Sequence, residues 1–320
     1  MKTRFTTAFV ATFCLFFGGS NSSRADEPRD DRAVRITFVG DICFDNNPGH
    51  EAVMGNDPFA AVAALLKDTD LAVANLECCI ATAGEKGTNR FSFKAPVECV
   101  PALKRYFSAV TVANNHSGDW GKEGFTSELD VLEREKLPYF GGGRNLEQAR
   151  RPVILLSHGR RVALLGYCDF PPRRYAADRN TPGTTWLVEE NVLADIKLAR
   201  TRDKADIVIP YLHWGVEHTR MPEEYQVKLA RKMIDAGADA VIGAHPHIPQ
   251  TVDWYRGKPI VYSLGNFVFN YYPHDPAIYF GWMVRLTFGP SGVSEVKTNV
   301  IRIEPTGLPR PVNATDKDRL

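Results

Sequence analysis

The segment Gly243-Ala244-His245-Pro246-His247 sets two imidazoles around a proline, directly after the apolar run Ala240-Val241-Ile242. Pro246 lacks a backbone donor and biases His245 away from the helical region. In an extended segment, residues two apart point to the same side, so both rings can converge on one metal ion or one phosphate. Alone, such a pair is equally compatible with a polar surface loop. Other strand ends carry residues of the same kind. Asp41 follows an apolar run at 34–39, Glu77 one at 70–74, Asn115 and His116 one at 109–113, and His213 one at 206–212. Two carboxylates, an asparagine and the three histidines His213, His245 and His247 suit a pair of divalent transition metals. Two ions about 3.5–4 Å apart are a recurrent device for phosphoester hydrolysis, in which a bridged water loses its proton near neutral pH. The competing reading is a metal-free hydrogen-bond network.

In open α/β sheets, ligands gather at the carboxyl ends of strands, so the intervening elements matter. Helical segments are expected at 57–66 (Asp57 as N-cap, Pro58 in the first turn), 97–106, 121–136, 188–202 and 223–236. Phe125, Leu129 and Leu132 share one face of the third, and Gly237 stops the last. Alternation of these helices with the short strands predicts an α/β fold with parallel sheet. A hairpin around His158-Gly159, a strand pair around Arg256-Gly257 and later strands near 279–288 and 293–304 predict mixed or antiparallel additions. Segments 81–94 and 170–183 are expected loops, and the chain from Pro305 a polar, frayed tail. Asp119 is placed either to hold His116 in one tautomer or to cap the next helix.

Hydrophobic content of 44% and charged content of 24% are ordinary for a soluble globular chain of 320 residues. The net charge of +1 gives no electrostatic argument for nucleic acid, and the basic residues are dispersed. At the N-terminus, Lys2 and Arg4 precede an apolar core from Ala8 to Phe17, with Ser23-Arg24-Ala25 before Asp26. That is a secretory pattern with cleavage expected after Ala25, an uncleaved anchor being the alternative. Loss of residues 1–25 removes three basic residues and no acidic one, turning +1 into −2. Of six cysteines, Cys14 would leave with that segment. Cys43, Cys78, Cys79, Cys99 and Cys168 form no CxxC pattern, and their odd number leaves at least one thiol without an intrachain partner.

Seven strings together resemble the capsule-synthesis CapA family, which includes the PgsA component of poly-γ-glutamate synthesis. They are TFVGDICFD (37–45), VANLECCI (73–80), VANNHSGDWG (112–121), GGGRNLEQAR (141–150), IVIPYLHWGVEH (207–218), AGADAVIGAHPHIPQ (236–250) and KPIVYSLGNFVF (258–269). They run in family order across most of the chain beyond residue 35. The family is similar to the calcineurin-like metallophosphatases. The resemblance therefore implies a four-layer sandwich of two mixed sheets between helices, over residues 34–304. It also implies up to two divalent ions, Mn, Fe or Zn. Carried over by position, Asp41 and His247 would hold the first ion, Asn115, His213 and His245 the second, and Glu77 would bridge. His116 would be general acid or oxyanion ligand, with Asp119 behind it.

The superfamily's opening Asp-x-His is Asp41-Ile42-Cys43 here, which leaves the first ion a ligand short unless Cys43 or Asp45 substitutes. A thiolate would favour zinc, whereas a small buried residue or half of a disulfide is the weightier reading of Cys43. Three residues are expected near substrate. Asn266 either reaches the site or braces a loop, Trp214 walls the pocket or packs in the core, and Arg144 meets an anionic group. Glu217 and His218 read as solvated loop, Arg173 and Arg174 as solvated surface or a polymer contact, and His50, His158 and His274 as surface. The implied function is an exported metal-dependent hydrolase acting on phosphoester or related bonds in envelope material. Its partners would be an anionic polymer and a polymer synthase. The alternative is a non-catalytic accessory factor that binds polymer or synthase.

Overall fold

A computed structural model describes residues 33–170, 173–270 and 276–312. The proposed secretory segment 1–25 and His274 lie outside the described residues. The chain begins with β1 (Val34–Ile42), α1 (Asn47–Val53), α2 (Ala63–Lys67), β2 (Leu71–Leu76), α3 (Val100–Tyr106), β3 (Ala109–Thr111), α4 (Gly121–Glu135) and β4 (Tyr139–Phe140). It continues with β5 (Gly142–Gly143), α5 (Leu146–Ala149), β6 (Val153–Ser157), β7 (Arg160–Cys168), β8 (Gly183–Thr184), α6 (Glu189–Thr201) and β9 (Ile207–His213). Next come α7 (Glu224–Ala236), β10 (Val241–Ala244), β11 (Val252–Tyr255) and β12 (Lys258–Val261). Last are β13 (Asn266–Val268), β14 (Phe280–Gly289), β15 (Gly292–Ile303) and β16 (Pro309–Pro311).

The first sheet has the order β16-β15-β14-β1-β2-β3-β4, with β13 added in parallel beside the end of β1. The second has the order β11-β12-β10-β9-β7-β6. Each has a parallel centre, β1 to β4 in one and β7-β9-β10-β12 in the other, with antiparallel strands at its flanks. Apolar faces of both sheets meet in one cluster, including Ile36 and Phe38 from β1 with Ile209, Tyr211 and Ile242 from the second sheet. The outer face of the first sheet packs on α3 and α4 through Leu103, Leu129 and Leu132. That of the second packs on α6 and α7 through Ile196, Ala230 and Met233. The result is a four-layer sandwich of two mixed sheets flanked by helices, the architecture the resemblance implied. The Tyr211 hydroxyl donates to the Val39 carbonyl (2.8 Å), which pins the two sheets together near the carboxyl ends of their strands.

Three local expectations are corrected. Asp57 does not start one continuous helix. Its side chain accepts from Phe59 N (3.0 Å) in a turn, and a 3-10 turn at Ala60–Val62 precedes the short α2. Sequence reading also passed over α1, whose Pro48 occupies the first turn. Beyond Pro305 the chain is not frayed throughout, because Pro309–Pro311 pairs antiparallel with β15. By contrast α7 is set by its sequence ends: Glu223 and Gln226 form a capping box, and Gly237 closes it in the left-handed conformation.

Candidate metal centre

The carboxyl ends of both parallel centres open onto one buried cluster. On the first sheet, register sets Asp41 opposite Asn75 on β2 and Asn266 on β13. Gly40 makes that possible, since a Cβ there would stand 1.7 Å from the Gly265 carbonyl oxygen. Asn75 donates from Nδ2 to Asp41 Oδ1 (2.8 Å) and accepts at Oδ1 from Asn114 Nδ2 (3.1 Å). Asn114 in turn accepts from the backbone N–H groups of His116 and Ser117, each at 3.0 Å. This chain of amides fixes both Asp41 and the loop after β3. It leaves Asp41 Oδ2 and both Glu77 oxygens buried without a hydrogen-bond donor. Buried carboxylate oxygens without partners are costly and call for a cation or a donor.

On the second sheet, His213 ends β9 with its Nε2 at 2.6 Å from Asn115 Oδ1, 3.1 Å from His245 Nδ1 and 3.5 Å from Glu77 Oε1. His245 is fully buried, and its Nε2 has no hydrogen-bond partner. His247 Nδ1 lies 2.9 Å from Asn266 Oδ1, 3.4 Å from Asp41 Oδ2 and 3.9 Å from Glu77 Oε2. Both loop histidines have left-handed backbone, φ +99° for His245 and +59° for His247. Non-glycine residues held there carry strain that the surrounding structure must offset, a feature that clusters at functional sites.

Ligand atoms of Asp41, Glu77 and His247 lie within 4.8 Å of one another, and so do those of Glu77, His213 and His245. Glu77 belongs to both triads. Mixed carboxylate and imidazole donors suit first-row transition metals, and the unpartnered oxygens are the atoms a cation would satisfy. The residues present fit divalent metal. Burial, and after it the nearby Asp41 charge, pushes the Glu77 carboxyl well above the usual range. Burial, reinforced by neighbouring imidazoles, holds His213 and His245 well below the usual histidine value. His247 runs the other way: burial lowers it, but the Asp41 carboxylate and then Asn266 outweigh that and raise it.

His116 stands beside this cluster with Nδ1 at 2.7 Å from Asp119 Oδ2 and its ring against Phe93, centroids 4.3 Å apart. Asp119 is fully buried and also accepts from Phe93 N (2.8 Å) and Asn89 Nδ2 (2.9 Å). It does not cap α4, whose N-cap is Trp120 with no side-chain cap bond. With three donors fixing Asp119, His116 is held with its proton on Nδ1, leaving Nε2 for chemistry.

Other candidates take varied positions. Asn266 contacts His247 rather than open space, its Nδ2 donating to Ile278 O (3.2 Å). Trp214 is not a pocket wall. It is 0% exposed, donates from Nε1 to Tyr262 O (3.0 Å) and packs with α6 and α7, because it comes directly after His213 and points to the opposite face of the sheet. Arg144 does not face the cluster; its guanidinium is held at the surface by Asp130 and Glu133 of α4, both at 2.7 Å. Cys43 is a buried free thiol beside Cys78, and all five described cysteines are free. Asp45 is taken up by Asn46 and by Lys94 N (3.1 Å). Arg174 donates to Asn89 Oδ1 (2.8 Å), bracing the loop behind Asp119.

Sequence reading missed Asn75 and Asn114, which support the ligands. Their signal was present in the amides flanking Glu77 and His116 in the strings Asn-Leu-Glu and Asn-Asn-His. Also missed were Phe93 and Phe170, the latter with its ring 4.0 Å from that of His245. Both come from the loops 81–94 and 170–183, and nothing in a loop sequence says which aromatic will turn inward. Glu217, expected on a solvated loop, is exposed, yet its carboxylate lies within 4.8 Å of ligand atoms of His245 and His247.

Residues 35–271 match the family model described as bacterial capsule synthesis protein PGA_cap. The chain is 31% identical over 310 residues to the capsule biosynthesis protein CapA of Bacillus anthracis, covering 91% of this chain and 73% of that protein. It is 31% identical over 268 residues to the PGA biosynthesis protein CapA of Bacillus subtilis (strain 168), covering 82% and 70%. Among solved structures, the Haemophilus influenzae NAD nucleotidase (NadN) aligns with a TM-score of 0.50 at 12% identity. That alignment covers 90% of this chain and 61% of the nucleotidase, a likeness of fold.

Proposed function

This chain belongs to the bacterial capsule synthesis protein PGA_cap family, and within it we propose an exported, metal-dependent hydrolase acting on phosphoester or related bonds of envelope material. The observation that carries this reading is the convergence of buried ligand atoms without hydrogen-bond partners, Asp41 Oδ2, both Glu77 oxygens and His245 Nε2, from two different sheets. Asp41, Glu77 and His247 would hold one divalent ion, and Glu77, His213 and His245 with Asn115 the other. Bound ions would polarise a phosphoryl or acyl oxygen and lower the pKa of water.

The chain's own residues have separable tasks. Asn75 and Asn114 fix the carboxylate side, so that substrate meets a site already organised. Phe93 and Phe170 cover His116 and His245 and limit water around them. As the imidazolium, with Asp119 accepting from Nδ1, His116 would give its Nε2 proton to the departing oxygen and be left with its proton on Nδ1. Positioned general acids of this kind contribute about 10²- to 10⁴-fold. The partners proposed are an anionic envelope polymer and the machinery that makes it.

The test uses the protein from residue 26 onward, assayed on a model phosphodiester with Mn²⁺ or Zn²⁺ after chelation. Metal-dependent turnover that disappears in His116→Ala, with metal content retained, is the expected result. A protein that takes up no divalent metal, or an unchanged His116→Ala rate, would overturn the assignment. Cell fractionation tests export separately, with the protein expected outside the cytoplasm.

A further inference from the structure

Each inner triad contributes one histidine to a third convergence nearer solvent. We propose that Glu217 is a further ligand to the ion that Asp41, Glu77 and His247 would hold, reaching it from the mouth of the site. This rests on reading the inner triads as a metal centre, and it adds a ligand from a loop that neither triad uses.

Glu217 is exposed on the connection between β9 and α7, yet its carboxylate and the nitrogens of His245 and His247 lie within 4.8 Å of one another. His247 Nδ1 lies in turn 3.4 Å from Asp41 Oδ2 and 3.9 Å from Glu77 Oε2, so Glu217 approaches the same position from its open side. The loop carrying Glu217 is tied to the His-Pro-His loop. His218 N donates to Pro246 O (2.9 Å) and Trp214 N to Ala244 O (3.1 Å). Gln250 Nε2 donates to Thr219 O (2.9 Å) and Met221 O (3.3 Å) on the far side of Glu217. Trp214 anchors the start of the loop in the core, and Gly215 turns it at φ +92°. Although the Glu217 side chain is exposed, its backbone is therefore fixed relative to the two imidazoles.

Carboxylates with an imidazole remain a donor set for transition metals, and Glu217 would supply the donor that Cys43 does not. The other nearby candidates, Cys43 and Asp45, are committed elsewhere, one inside the core and the other to Asn46 and Lys94. A cation that depends on an exposed carboxylate exchanges with solvent more readily than one enclosed by Glu77, His213 and His245. Two classes of affinity are therefore expected, the weaker one depending on Glu217.

Titration of the metal-free protein with Mn²⁺ by calorimetry, with manganese paramagnetic resonance as a second readout, tests this. In Glu217→Gln the weaker event is expected to lose at least about tenfold in affinity while the tighter one stays, and Cys43→Ser and Asp45→Asn leave both as in the wild type. The melting temperature in chelator should not change, because Glu217 is exposed and contributes no packing. A Glu217→Gln isotherm identical to that of a Mn²⁺-binding wild type, or loss of the tighter event instead, overturns the inference and leaves the inner triads standing. A wild-type chain that binds neither Mn²⁺ nor Zn²⁺ overturns the inner triads as well.

Discussion

The two sheets equip the site in opposite ways. The first supplies oxygens from strand ends, Asp41 and Glu77, set by strand pairing and by the amides of Asn75 and Asn114. The second supplies nitrogens, His213 from a strand end and His245 and His247 from a loop with left-handed backbone. Burial acts on the halves with opposite sign. It drives Glu77 toward its protonated form and His213 and His245 toward neutrality. Neutral imidazole is the ligating form, so His213 and His245 are ready for a cation, whereas the Asp41 carboxylate draws His247 toward its charged form. Ionised carboxylate is also the ligating form, and only a positive charge makes it favourable inside the protein. One half is preorganised by geometry and the other by charge state.

Glu77 is the residue on which both triads depend, and its replacement should have the largest effect. Glu77→Gln is expected to lose both ions, measured as metal content, at a cost beyond the roughly 10- to 100-fold that loss of a supporting partner brings. Retention of two ions would show that the halves do not meet at Glu77.

The proton relay separates from the metal halves. Asp119→Asn should lower kcat about 10²- to 10⁴-fold and alter the pH profile, with metal content unchanged. A uniform loss of stability with an unaltered pH profile would reduce Asp119 to a structural role.

A smaller effect is expected where the halves touch through an amide. Asn266→Ala removes the partner of His247 Nδ1 and should weaken one ion about 10- to 100-fold while sparing the ion at His213 and His245. Equal weakening of both would make the two halves a single unit.

The smallest effect lies outside the site, at a buried carboxyl that belongs to neither triad. Burial pushes Glu128 up to about 8, against a partly offsetting hydrogen bond from Ile80 N (3.3 Å). Its unfolded value is about 4.3. The folded state therefore binds the extra proton between those values. The stabilisation is complete below the unfolded pKa and is lost as pH rises through the folded one. The melting temperature of the metal-free protein should fall on the order of 5 °C between pH 5 and 8. Glu128→Gln should flatten that fall, and an unchanged slope would show that Glu128 is not its source.

The sequence by itself determined which residues stand at strand ends. Short apolar runs stop at Asp41, Glu77, Asn115, His213 and His245, and a strand in a parallel centre delivers its last residues to one edge of the sheet. The capping box and Gly237 determined α7 in the same local way. Tertiary structure alone decided which neighbour of a ligand turns inward. His213 and Trp214 are adjacent in the chain, but alternation sends one to the cluster and the other into the core beneath α6 and α7. Arg144 and Glu217 exchanged expected roles because partners distant in sequence, Asp130 and Glu133 for one and the His-Pro-His loop for the other, set where each charge rests. Local pattern fixes where an element ends; long-range packing fixes which charges then face each other.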